Sequence, residues 1–178
     1  MRARTAVVGV VIFLAGCASV PASAPAYSRA PDAGDGRANV YVYRGRLDDG
    51  RDPCSRVHAR TLFVDGRPAF DLVQGAYTVL SLAVGTHRLE LLRDAASGCA
   101  ELEFYLHVED SRSRYVRISD VRTMVTLYDG PHAAIETRAE NLPESAAEAE
   151  LQACCRYVAA DPLPSNPSPS DALIRGHR

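Results

Sequence analysis

Polar and apolar residues alternate along much of the middle of this chain. The clearest run covers residues 101–109: Leu102, Phe104, Leu106 and Val108 fall on one side, and Glu101, Glu103, Tyr105, His107 and Glu109 on the other. A period of two is that of a strand with one face on a core and the other in water. Residues 87–93 repeat it, with Leu89 and Leu91 alternating with Arg88 and Glu90. Residues 39–46 and 61–65 are aromatic and β-branched, and Asp65-Gly66 is a hairpin signal leading into residues 67–72. Residues 77–82, 115–119 and 123–128 read as further strands, and 133–137 as a last one at an edge. Seven or eight short strands punctuated by turns predict a mainly β chain with a single antiparallel β-sandwich domain, not a βαβ fold.

One helix follows. Leu142-Pro143-Glu144 sets proline in a first turn and acid at its positive end, and Glu144, Glu148 and Glu150 then alternate with Ala146, Ala147 and Leu151 as far as about Tyr157. Its apolar stripe is thin, so it is expected to pack on the sheet or its edge. Residues 17–38 are mostly Ala, Pro, Ser, Gly and Asp and read as a flexible tether. Residues 159–178, with Pro162, Pro164, Pro167 and Pro169, read as a disordered tail. The sandwich and its C-terminal helix are therefore assigned to residues 39–158.

The N-terminus carries an address. Arg2 and Arg4 precede an apolar run over residues 6–13, too short to span a bilayer, and Leu14-Ala15-Gly16-Cys17 follows. This segment resembles the lipobox of bacterial lipoproteins. The resemblance implies that residues 1–16 are a signal peptide and that Cys17 is acylated and becomes the N-terminus. Several acyl chains anchor stably, since each buried methylene contributes about 0.8 kcal/mol. In a Gram-negative host, Ala18 in place of aspartate implies an outer-membrane destination.

A second resemblance rests on Asn39-Val40-Tyr41-Val42-Tyr43-Arg44, Leu62-Phe63-Val64-Asp65-Gly66-Arg67, Gly75-Ala76-Tyr77 and Val84-Gly85-Thr86-His87-Arg88-Leu89. Their order is similar to a group of bacterial lipoproteins of unknown function, whose domain resembles PEGA-type and carboxypeptidase-regulatory-like β-sandwiches. The shared motifs are turns and strand starts, which imply a fold and a turn-stabilising role for His87, and no reaction.

Charge and cysteines narrow the field. The formal charge is −2, all 20 basic residues are arginine, and these are scattered, so nucleic acid is not an expected partner. With Cys17 acylated, Cys54, Cys99, Cys154 and Cys155 remain, an even count that favours disulfides in an exported domain. Adjacent cysteines pair only with strain. Cys54 and Cys99 both lie in turn-rich segments and are the preferred pair, the rival being that each joins one of the C-terminal two.

Candidate chemistry is sparse. No nucleophile elbow, phosphate-cradling glycine loop or dinucleotide fingerprint appears in the sequence. His107, Glu109 and Glu103 share a strand face with the donor types of a chelate, but an exposed polar face calls for the same residues. No metal, cofactor or catalytic residue is expected. His58, His132 and His177 fall in loops or the tail. Tyr41, Tyr43, Tyr77, Tyr105, Tyr115 and Tyr128 are either strand packing or an outward recognition surface. The expectation is a non-catalytic, lipid-anchored envelope module for a protein or glycan partner, with an envelope hydrolase as the alternative.

Overall fold

The computed structural model describes residue 20 and residues 22–45, 59–92 and 100–160. The chain runs through β1 (Arg37–Arg44), β2 (Arg60–Val64), β3 (Arg67–Leu72), β4 (Ala76–Ala83), β5 (Gly85–Leu91), β6 (Leu102–Val108), β7 (Arg114–Leu127), β8 (Gly130–Asn141), α1 (Glu144–Cys154) and β9 (Arg156–Tyr157). Two sheets result, one ordered β8-β7-β1-β4-β9 and the other β3-β2-β5-β6. Their apolar faces meet: Val40, Val42, Leu80, Leu82, Val116 and Ile118 from the larger sheet pack on Leu62, Leu89, Leu91, Leu106 and Val108 from the smaller. This is the sandwich that the alternation predicts. In β6, Leu106 and Val108 are buried while Glu103, Tyr105 and His107 face solvent.

The Asp65-Gly66 turn forms as read, with φ positive at both residues (52° and 75°). Such a turn matches the twist of the strands it joins, and aspartate and glycine tolerate it best.

Four differences from the sequence reading have physical causes. The larger sheet is mixed, not antiparallel: β1 pairs in parallel with β7, and β4 with β9. β7 is reached through β5 and β6 of the opposite sheet and β9 through α1, and such crossover connections, unlike a tight turn, let a strand enter parallel to its neighbour. Residues 115–119 and 123–128 belong to one strand, β7, and the short edge strand expected at 133–137 is the longer β8. The helix stops at Cys154 because Cys155 is extended (φ −120°, ψ 149°) and Arg156 and Tyr157 bond to β4.

The fourth difference concerns the tether. Residues 22–36 lie on the sandwich, and β1 begins at Arg37. Tyr27 packs against Tyr41 and Tyr77 at ring separations of 5.9 and 5.6 Å. The Ser28 and Ala30 N–H groups donate to the hydroxyls of Tyr77 and Tyr41, and Asn39 Nδ2 donates to the Pro31 carbonyl. One aromatic side chain and a series of hydrogen bonds hold a segment whose average composition reads as linker. With α1, this segment adds a third layer over the outer face of the larger sheet.

Candidate functional site

The tyrosines settle first, because their placement decides which surfaces are open. Tyr41, Tyr43, Tyr77 and Tyr115 are at most 2% exposed and form a second core with Ala147, Leu151 and Cys155. Tyr41 stacks on Tyr115 with ring centroids 4.8 Å apart and planes 12° from parallel. The glutamates of α1 accept from the phenols: Tyr27 to Glu148 at 2.8 Å and Tyr43 to Glu150 at 2.9 Å. Burial first, and then these bonds, hold both phenols well above the ordinary tyrosine range. A raised phenol pKa stabilises the folded state at neutral pH, and that contribution lapses as pH climbs past about 10. Packing thus explains four of the six tyrosines offered as a recognition surface. Only Tyr105 and Tyr128 of the six are exposed.

His87 is buried at the start of β5. Its Nδ1 lies 2.7 Å from Asp65 Oδ2 and its Nε2 2.8 Å from the Ala83 carbonyl oxygen. Asp65 Oδ1 also accepts from the Arg88 N–H at 2.9 Å. The β2–β3 turn is thereby clasped to β5, which gives His87 the turn-stabilising place that the resemblance implies. Asp65→Ala is expected to lower stability by about 2–3 kcal/mol, since it removes charge-assisted bonds at a left-handed backbone position. Asp65→Asn, which keeps an acceptor for Arg88, loses less. Urea denaturation of both, with His87→Ala falling well below His107→Ala, is the check. His107 is exposed, its Nδ1 3.0 Å from Thr86 Oγ1 on the adjoining strand.

Sequence reasoning missed a buried ionic cluster at one end of the sandwich. Asp120 on β7 receives Arg44 Nη2 at 2.5 Å and the Thr137 hydroxyl at 2.5 Å, and Arg60 Nη1 lies 3.7 Å away. Arg60 also donates to Thr137 Oγ1 at 3.1 Å and to the Leu92 carbonyl at 2.9 Å. All four side chains are buried. The cluster ties β1, β2, β7 and β8 together across both sheets. Its traceable signal was the break in alternation at Ser119-Asp120, where a polar residue takes a core-facing position.

The opposite end carries an open polar groove of about 450 Å³ between the N-terminal segment and the β6–β7 connection, lined by Arg29, Asp32, Asp35, Ser111, Arg112 and Glu144 among others. A second recess shares Arg112, Ser113 and Glu144 and extends it to His107 and Glu109. Asp110 anchors the connection: the Arg112 N–H and Nε and Arg114 Nη2 reach its carboxylate at 3.0, 2.7 and 3.0 Å and hold its pKa below the usual carboxylate value. The groove therefore offers fixed charges of both signs, with serines beside them, to an extended polar ligand. Of the three residues weighed as a chelate, Glu103 pairs with Arg88 and Tyr105, apart from the groove that His107 and Glu109 line. No cluster of three or more metal-ligating side chains occurs among the described residues.

Cys17, Cys54, Cys99, His58 and His177 lie outside the described residues, and the expected Cys54–Cys99 pairing with them. The sulfurs of Cys154 and Cys155 are side by side where α1 ends. Among the described residues no helix is long and apolar enough to cross a membrane. No family model, curated protein or solved structure matches this chain.

Proposed function

We propose that this chain is a lipid-anchored cell-envelope protein whose sandwich is a non-catalytic binding or structural module for an envelope protein or a cell-wall polymer. The observation that carries the reading is Leu14-Ala15-Gly16-Cys17 behind Arg2, Arg4 and a short apolar run. Cys17 bears the lipid, Ala18 directs the protein to the outer membrane, and the domain faces the periplasm. The polar groove supports a binding role, since it presents open charged and hydroxyl groups at the end of the sandwich opposite the buried Asp120 cluster. The motifs quoted for the PEGA-type resemblance agree with a scaffold whose surface, not its core, selects the partner.

Cys17→Ser tests this reading. The wild-type chain is expected to incorporate labelled palmitate and to fractionate with membranes, and the variant to lose the label and accumulate as an unprocessed or soluble exported form. Normal processing and full membrane partition of Cys17→Ser would refute it. The hydrolase alternative draws on His107, Glu109 and Glu144 sharing the groove. Turnover of an ester, peptide or glycan that disappears in His107→Ala would decide for it.

A further inference from the structure

Strands β7 and β8 outrun the sheet they belong to. The β1–β7 register ends at Tyr43↔Arg117, whereas β7 and β8 stay paired as far as Leu127↔Gly130. Past the buried Asp120–Thr137 pair the two strands continue as a ribbon for about 23 Å. Its end exposes apolar side chains on both faces: Met124 (66% exposed) on one, Val125 and Leu127 (53%) on the other, with Tyr128 (103%) in the turn, and beside them Asp129 and His132 pair at 2.9 Å.

Strand pairing fixes how this ribbon lies relative to the N-terminus. Ala26 bridges Arg156, and the Tyr157 N–H donates to the Pro25 carbonyl. Arg156 pairs with Ala76, and Ala76 with Arg44. Residues 25 and 26 are thus at the end of the larger sheet from which the ribbon projects. The chain then crosses the tyrosine face and enters β1 at the far end, where the Gly36 carbonyl accepts from the Val84 N–H. From Cys17 to Ala26 is nine residues, at most about 32 Å of chain. Nine more carry β7 from Ile118, one past its last pair with β1, to Leu127, about 30 Å. Residues 22–24 turn, so the tether is shorter than its extended limit, and it leaves the larger sheet at the same end as the ribbon.

We infer that the ribbon tip is a second membrane contact, seated in the headgroup–acyl boundary of the bilayer that holds Cys17. The inference rests on the acylation of Cys17 proposed above. Met124, Val125 and Leu127 gain by leaving water, and a tyrosine with an apolar ring and a polar end suits that boundary. The tip goes no deeper. Hydrocarbon cannot satisfy the outward backbone groups of a two-stranded ribbon, and the Asp129–His132 pair needs polar surroundings.

The chain contains no tryptophan, so Tyr128→Trp supplies a single reporter and Val84→Trp, at a 48% exposed position near the far end, its control. Each acylated variant is reconstituted into vesicles of phosphatidylethanolamine and phosphatidylglycerol, with and without brominated acyl chains. The Tyr128→Trp reporter is expected to emit at shorter wavelength than the Val84→Trp control and to be quenched by bromine, while the control is not. An acylated, vesicle-bound chain whose Tyr128→Trp reporter is unshifted and unquenched overturns the inference and leaves the anchor standing. A blue shift that follows protein density without bromine quenching assigns the tip to a second copy and also overturns it. An N-terminal peptide found unacylated by mass spectrometry overturns both readings together.

Discussion

Asp120→Ala is expected to destabilise the domain by about 3–5 kcal/mol, enough to leave a domain of this size partly unfolded at ambient temperature. The reason is desolvation. Arg44 and Arg60 are 3% and 7% exposed and both turn a guanidinium toward this carboxylate, so alanine removes an anion that two buried cations share. Asp120→Asn keeps the volume and an acceptor for Thr137 and is expected to recover only part of the loss, because the charge is what is missing. Urea denaturation of the two variants separates these contributions. A loss below about 1 kcal/mol for Asp120→Ala would place the cluster in effectively solvated surroundings and contradict the burial argument.

Tyr41→Ala is expected to cost a similar amount, about 3–5 kcal/mol, by a different route. It empties the centre of the second core, removing the ring stacked on Tyr115 and the hydroxyl that accepts from the Ala30 N–H. The N-terminal segment then loses a side of its berth. Trypsin reads this directly: with no lysine in the chain it cuts only at arginine, and Arg29 lies within the docked segment. Cleavage there is expected to accelerate sharply in Tyr41→Ala and little in Tyr41→Phe, which keeps the ring. Equal cleavage rates in wild type and Tyr41→Ala would mean that the segment is not held by the tyrosine layer.

Which parts of this fold are legible from sequence depends on whether a residue's partners are near it in the chain. The alternation in β6, the Asp65-Gly66 turn and the start of α1 are set by neighbours within a few positions, and pattern reading recovers them. Asp120 interrupts the alternation of β7 and so suggests two strands where there is one. Its partners stand 76 positions away at Arg44 and 17 away at Thr137. Tyr27 is lost in a run of small residues and prolines, since composition averages over the one side chain that anchors the segment. A usable hint was present in β1. Asn39-Val40-Tyr41-Val42-Tyr43 is apolar on both faces, and its strand is buried on both, as when a sheet has a layer on either side. The polar groove had no such hint, because residues near 30, 112 and 144 meet only in the folded chain.

The docked N-terminal segment also imposes an order on assembly. Tyr27 donates to Glu148, 121 positions later, and the strip that carries it closes over a helix made near the end of the described chain. Contacts of such long range form slowly, because the loop between them must be ordered before they repay it. In a chain made N-terminus first, residues 22–36 emerge long before α1 does. The tyrosine layer therefore stays open while the sandwich is being made and seals only when the last helix is complete, so its closure reports the end of synthesis.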